Sequence, residues 1–162
     1  MKKTPIKRRT KEAFCWIVEI LRGLHIPFLI TGGFAAKLYG SRRQLADIDI
    51  DIADKSLIKI KGFVEPWITF GPARFTDIYW DIRLMTLRYK GQLIDLTEAS
   101  GSLRDKKTKQ KIPIRTNFNR RVIKTVYGLH IPVMPKPLLI QYKNLLLRPV
   151  DQRDLRAMGV KI

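Results

Sequence analysis

The segment Asp47-Ile48-Asp49-Ile50-Asp51-Ile52 constrains this chain more than any other. Strict alternation of acid and isoleucine has the two-residue period of a β-strand, so every isoleucine faces one side and every aspartate the other. The isoleucine face asks for an apolar layer. The aspartate face asks for open solvent or for cations, and alternation by itself is equally the mark of a half-exposed strand with a solvated acidic side. Asp47 and Asp49 stand about 6.6 Å apart along such a strand, a spacing at which two carboxylates can ligate ions lying between and above them. Carboxylates about 4 Å apart repel by on the order of 4 kcal/mol at an effective dielectric near 20, so a cluster persists only with cations or protons. Asp51 lies about 13 Å from Asp47, too far to share ions held about 4 Å apart, and reads as a peripheral carboxylate.

The flanking sequence supplies the layers. Thr10 caps a predicted helix of about four turns whose apolar residues, Phe14, Ile17, Val18 and Leu21, recur at helical spacing before the Gly23-to-Pro27 stop. Residues 28–31 read as a short buried strand, Gly32-Gly33 as a sharp turn and 34–39 as a brief helix. The two glycines let the backbone approach a ligand, and the N–H groups of the following helix offer a phosphate site. Such glycines also serve purely structural turns.

Further on, helices are predicted over 55–64, 137–147 and 151–158, and strands over 77–89, 92–97 and 121–127. The stretch 100–111, rich in Lys and Arg, is predicted to be a mobile basic loop. This order predicts an α/β (α+β) domain built on a mixed β-sheet flanked by helices. Residues 1–11 read as a basic N-terminal arm and 12–162 as a single domain. Asp95 is a lone acid in the apolar run Gln92-Leu93-Ile94-Asp95-Leu96, which suits a third carboxylate brought in from a neighbouring strand; a strand-end cap or an ion pair accounts for it equally.

Charge bears on the partner. The chain has 32 Lys and Arg against 14 Asp and Glu, a net charge of +18, which calls for a polyanion. No apolar run reaches the roughly 18 to 20 residues of a membrane-spanning helix. Cys15 is the only cysteine, so disulfide frameworks and cysteine metal sites are excluded and a reducing, cytoplasmic location is expected.

Taken in order, Thr31-Gly32-Gly33, Asp47-Ile48-Asp49 and Asp95 resemble the polymerase-beta-like nucleotidyltransferase superfamily. The fuller pattern, with the run from Thr31 to Arg43 and the tail carrying Lys143, Arg148-Pro149, Asp151 and Asp154, is similar to small bacterial and archaeal members related to antibiotic-modifying enzymes. Gly33 stands where many members carry serine, and Asp51 is an extra acid. The resemblance implies a nucleotidyltransferase fold and transfer of a nucleoside monophosphate from a nucleoside triphosphate to an acceptor hydroxyl. It implies that Asp47, Asp49 and Asp95 hold two Mg²⁺ ions, with Asp95 also helping to deprotonate the hydroxyl. Gly32 and Gly33 would cradle the triphosphate, and Arg43 and Lys143 would offset its charge.

The net charge favours RNA, such as tRNA, as acceptor, gripped by 1–11 and 104–111. A small antibiotic-like molecule or a protein hydroxyl is the alternative, and a catalytically inactive nucleic-acid-binding protein on the same fold is a third reading. A domain of this size leaves room for a second copy or a partner subunit to supply acceptor recognition.

Overall fold

The computed structural model describes residues 4–162. Helix α1 (Thr4–Gly23) is followed by β1 (Phe28–Ile30), α2 (Gly32–Leu38), β2 (Asp47–Ile52) and α3 (Ser56–Val64). Strands β3 (Ile68–Thr76), β4 (Trp80–Tyr89), β5 (Gln92–Glu98), β6 (Ser100–Arg104), β7 (Lys111–Arg115), β8 (Val122–Val126) and β9 (Leu129–Val133) come next. Helices α4 (Lys136–Leu146) and α5 (Pro149–Ala157) end the chain.

All nine strands join one mixed sheet in the order β7-β6-β4-β5-β2-β1-β9-β8, with β3 also paired to β4. The pairs β2–β5 and β1–β9 are parallel and the others antiparallel. Strand β4 is long enough to carry both β5, opposite Leu84 to Tyr89, and β6, opposite Trp80 and Asp81.

The alternation in β2 is realised as read. Ile48, Ile50 and Ile52 are fully buried while the three aspartates are only partly so. Together with Ile94 and Leu96 of β5 and Met85 and Leu87 of β4, these isoleucines form the core face of the sheet, which α1 and α3 cover. Helix α1 contributes Ala13, Phe14, Ile17, Val18 and Leu21, a stripe at helical spacing that burial makes the main stabilising contact of the helix.

Several boundaries differ from the sequence reading. Of the basic arm expected over 1–11, residues 1–3 lie outside the described residues, and from Thr4 the chain is already in α1, which runs on through residue 12 without a break. Thr10 is therefore an interior residue whose hydroxyl donates to Gln92 Oε1 at 2.8 Å. Strand β3 went unread because Gly71-Pro72 interrupts it and little of it is buried. Asp77 belongs to the turn before β4, where its Oδ1 accepts from the N–H groups of Tyr79 and Trp80, each at 2.7 Å.

The largest correction is the predicted mobile loop 100–111. It is most of a β-hairpin, β6–β7, with Ser100 opposite Arg115 and Arg104 opposite Lys111. Leu103, Ile112 and Ile114 turn to one face and Arg104, Lys111 and Arg115 to solvent. Counting charges along this stretch hid a two-residue alternation that spans its two arms.

Candidate active site

The pairing of β2 with β5 brings Asp49 directly opposite Asp95, and Asp47 opposite Leu93. One carboxylate oxygen from each of Asp47, Asp49 and Asp95 lies within 4.8 Å of the others. The Thr86 hydroxyl, from β4, donates to Asp95 Oδ1 at 2.7 Å and fixes that carboxylate. Strand β1 delivers the glycine turn to the same place. The N–H of Thr31, the residue after β1, donates to the Asp49 carbonyl oxygen at 3.0 Å, and α2 begins on the next residue.

Gly32 has φ +59, and a Cβ there would collide with the Asp49 carboxylate, reaching 2.7 Å from its Cγ. Only glycine lets the backbone pass so close in that conformation. At Gly33 an added Cβ would run into the Arg43 guanidinium, 3.2 Å from its Cζ. Gly33 also donates its N–H to the Asp49 carboxylate.

The electrostatics show what such a cluster lacks. Burial, then the charges of Asp47 and Asp95, push the Asp49 carboxyl well above its ordinary range, against the Gly33 N–H and the more distant Lys143. Burial likewise raises Asp95 to about 6; Thr86 opposes this and Asp47 adds to it. No Lys or Arg forms a salt bridge with any of the three among the described residues. Three oxygen donors facing one point, partly buried and without a cationic side chain, fit a hard divalent cation.

Asp51 stands apart from this group. Its carboxylate accepts from Thr116 Oγ1 at 2.5 Å and Thr31 Oγ1 at 3.4 Å, and burial raises it to about 6 against those two bonds. It joins the end of β7 to the end of β1.

Arg43 and Lys143 meet in a second cluster, on α5. Arg43 grips Asp154 with two nitrogens, at 2.8 and 3.0 Å. Lys143, 1% exposed, places Nζ 3.1 Å from Asp151 and 2.9 Å from Asp154, both fully buried. Burial works to raise Asp154, but the hydrogen bonds from Arg43, Ser41 and Lys143 prevail and hold it below the usual range. Arg148 bonds Asp151 at 2.7 Å and lies over the rings of Trp80 and Tyr79, 5.6 and 5.8 Å from their centroids. Burial alone would lower Arg148; its bonds to Asp151 raise it instead.

A cavity of about 870 Å³ joins these parts. The three acids, both glycines, Arg43 and Arg148 line it, whereas Lys143 does not. Sequence reasoning missed Thr86, Thr116, Tyr142 and Arg148 as cavity residues. Arg148 had a usable signal, since the tail Arg148-Pro149-x-Asp151 puts an acid three residues after an arginine at a helix start.

No family model and no curated protein matches the sequence. Solved structures match over almost the whole chain. A Thermotoga maritima protein whose assignment as a nucleotidyltransferase is itself an inference superposes with a TM-score of 0.67 at 17% identity, covering 90% of this chain and 91% of that one. The lincosamide antibiotic adenylyltransferase LnuA gives 0.59 at 16% identity, with 92% and 95% covered. The antibiotic-resistance factor ANT(2'')-Ia gives 0.58 at 14% identity, with 93% and 82% covered. The fold is therefore the nucleotidyltransferase fold that the motifs implied.

Proposed function

We propose that this protein transfers a nucleoside monophosphate from a nucleoside triphosphate to a hydroxyl group of an acceptor. The observation that carries the reading is the convergence of Asp47, Asp49 and Asp95 within 4.8 Å, beside Gly32, where an added Cβ would meet the Asp49 carboxylate. Asp47, Asp49 and Asp95 would hold Mg²⁺, as two ions, which supply charge neutralisation of the triphosphate and of the departing pyrophosphate. Gly32 and Gly33 lie where the backbone can approach the phosphates. Arg43, anchored on Asp154, and Arg148, anchored on Asp151, present cations to the cavity already oriented, and Lys143 supports both by holding the two carboxylates in place. Asp95, steadied by Thr86, faces the acceptor side and is the group to receive the hydroxyl proton.

RNA is the acceptor that the net charge of +18 favours, and the presence of Arg120 on the cavity wall supports it as one reading. A compact acceptor is the other, favoured by the apolar wall of the same cavity. The test is incubation with each α-labelled nucleoside triphosphate, Mg²⁺, total cellular RNA, protein and small molecules, followed by fractionation. Label is expected in one fraction and absent from Asp49→Asn. Absence of label from every fraction, with no release of pyrophosphate, rejects nucleotidyl transfer.

A further inference from the structure

Among the described residues, Thr86 carries the one hydroxyl that is bonded to any of the three acids, donating to Asp95 Oδ1 at 2.7 Å. Thr31 and Thr116, the other threonines bonded to an acid of β2, direct their hydroxyls to Asp51 instead. A nucleophile and the base that takes its proton stand roughly 2.6–3.2 Å apart, and Thr86 already holds that relation to Asp95. Its side chain is half-buried and lines the cavity, where a bound nucleotide can reach it.

The order of residues across the sheet fits an in-line displacement. Thr86 on β4 is the register partner of Asp95 on β5, Asp95 is the partner of Asp49 on β2, and Asp49 abuts Gly32, two residues past β1. The hydroxyl therefore stands on one side of the acids and the glycine turn on the other. In phosphoryl transfer the attacking and leaving oxygens lie on opposite sides of the phosphorus. With the β- and γ-phosphates at Gly32 and Gly33, the departing oxygen points to the β1 side and the open face of the α-phosphorus turns to Thr86. A nucleophile built into the chain also avoids the entropy cost of recruiting an acceptor.

There is room for the product. Beyond Thr86 the cavity opens into an apolar chamber walled by Leu84 and Ile82 of β4, Leu103 of β6, Ile114 of β7 and Leu138 of α4. The whole cavity, about 870 Å³, is ample for one nucleotide, since small-ligand pockets run from roughly 300 to 1,000 Å³.

We infer that Thr86 is a self-modification site, whose hydroxyl accepts the nucleoside monophosphate from a nucleoside triphosphate bound in the same chain. Thr86 Oγ1 forms a bond to the α-phosphorus, the bond from that phosphorus to the pyrophosphate oxygen breaks, and the hydroxyl proton passes to Asp95. The products are a phosphodiester on Thr86 and free pyrophosphate. The attached nucleoside occupies the chamber and shuts out a second acceptor, so the reaction stops at one group per chain. This rests on the nucleotidyl-transfer reading and adds to it an acceptor within the chain itself.

The test is incubation of the full chain with Mg²⁺ and each nucleoside triphosphate in turn, with no acceptor added, followed by intact-mass measurement and peptide mapping by tandem mass spectrometry. One nucleoside monophosphate per chain is expected, localised to Thr86. Thr86→Ser should keep the adduct, whereas Thr86→Val and Asp95→Asn should lose it, with circular dichroism reporting the fold of each variant. In a mixture with wild type, the Asp49→Asn chain should stay unmodified, because transfer runs within one chain. An adduct on another residue, on the Thr86→Val chain or on the Asp49→Asn chain overturns the proposal, and so does a wild-type chain that takes up no nucleotide. In that last case, pyrophosphate release on adding total cellular RNA, protein and small molecules leaves the nucleotidyl-transfer reading standing, and its absence removes that reading as well.

Discussion

Asp49 and Asp95 are register partners on two parallel strands, and neither forms a salt bridge with a Lys or Arg among the described residues. Burial, then the charges of Asp47 and Asp95, raises Asp49, and burial, with Asp47 adding to it, raises Asp95; a fold tolerates such shifts where a ligand supplies the missing charge. Asp49→Asn and Asp95→Asn are each expected to lower label transfer by about 10²–10³-fold or more, the scale of losing one group that stabilises developing charge. Asp51→Asn should keep much of the activity, because Asp51 spends its oxygens on Thr116 and Thr31. Equal loss in all three variants would show that the metal assignment is misplaced.

Gly32→Ala tests the cradle. The substitution forces a methyl group into the Asp49 carboxylate and puts an alanine at φ +59. The positive φ alone costs on the order of 1 kcal/mol. We expect a drop of a few degrees in the thermal midpoint and a far larger proportional loss of transfer, since the residue displaced is a metal-site carboxylate. An active Gly32→Ala enzyme would contradict the close approach.

The motif residues were legible in the sequence for a physical reason: Gly32, Asp47, Asp49 and Asp95 act through backbone proximity and strand register, which a two-residue period and a glycine pair express directly. The β2 strand was readable residue by residue. The apolar chamber was not, because its wall is assembled from Leu84 on β4, Leu103 on β6 and Ile114 on β7, strands whose mutual register no local pattern specifies. Lys143 illustrates a different limit. The resemblance gives this lysine the role of offsetting the triphosphate charge, whereas tertiary packing places it between two acids from α5.

That placement gives Lys143 its own signature. Removing one partner from a buried ion cluster leaves the remainder uncompensated, at a cost of about 3–5 kcal/mol. Lys143→Met should therefore lower the thermal midpoint by roughly 10 °C in a chain of this size. Because Asp151 and Asp154 also anchor Arg148 and Arg43, the Michaelis constant for the nucleoside triphosphate should rise more than the turnover number falls. A wild-type melting curve with only weakened nucleotide binding would instead make Lys143 a direct phosphate ligand.

The same acids predict how stability depends on pH without a divalent cation. Asp95 and Asp51 each titrate near 6 in the fold, against 3.8 for an ordinary aspartate, so the folded chain holds these protons more tightly than the unfolded one. A carboxyl of this kind favours the fold fully below pH 3.8, and that contribution is lost as the pH rises through about 6. Each shift of about two units corresponds to about 3 kcal/mol as an upper scale. Thermal melts in a chelator should accordingly show stability falling between pH 4 and about 7. Asp51→Asn should flatten part of that slope, because its share of the titration is gone. Added Mg²⁺ should raise the midpoint chiefly at the upper end of the range, where the carboxylates are ionised and able to bind it, and should do so in wild type but not in Asp49→Asn. A midpoint that ignores both pH and Mg²⁺ would mean that the three carboxylates neither strain the fold nor hold a cation.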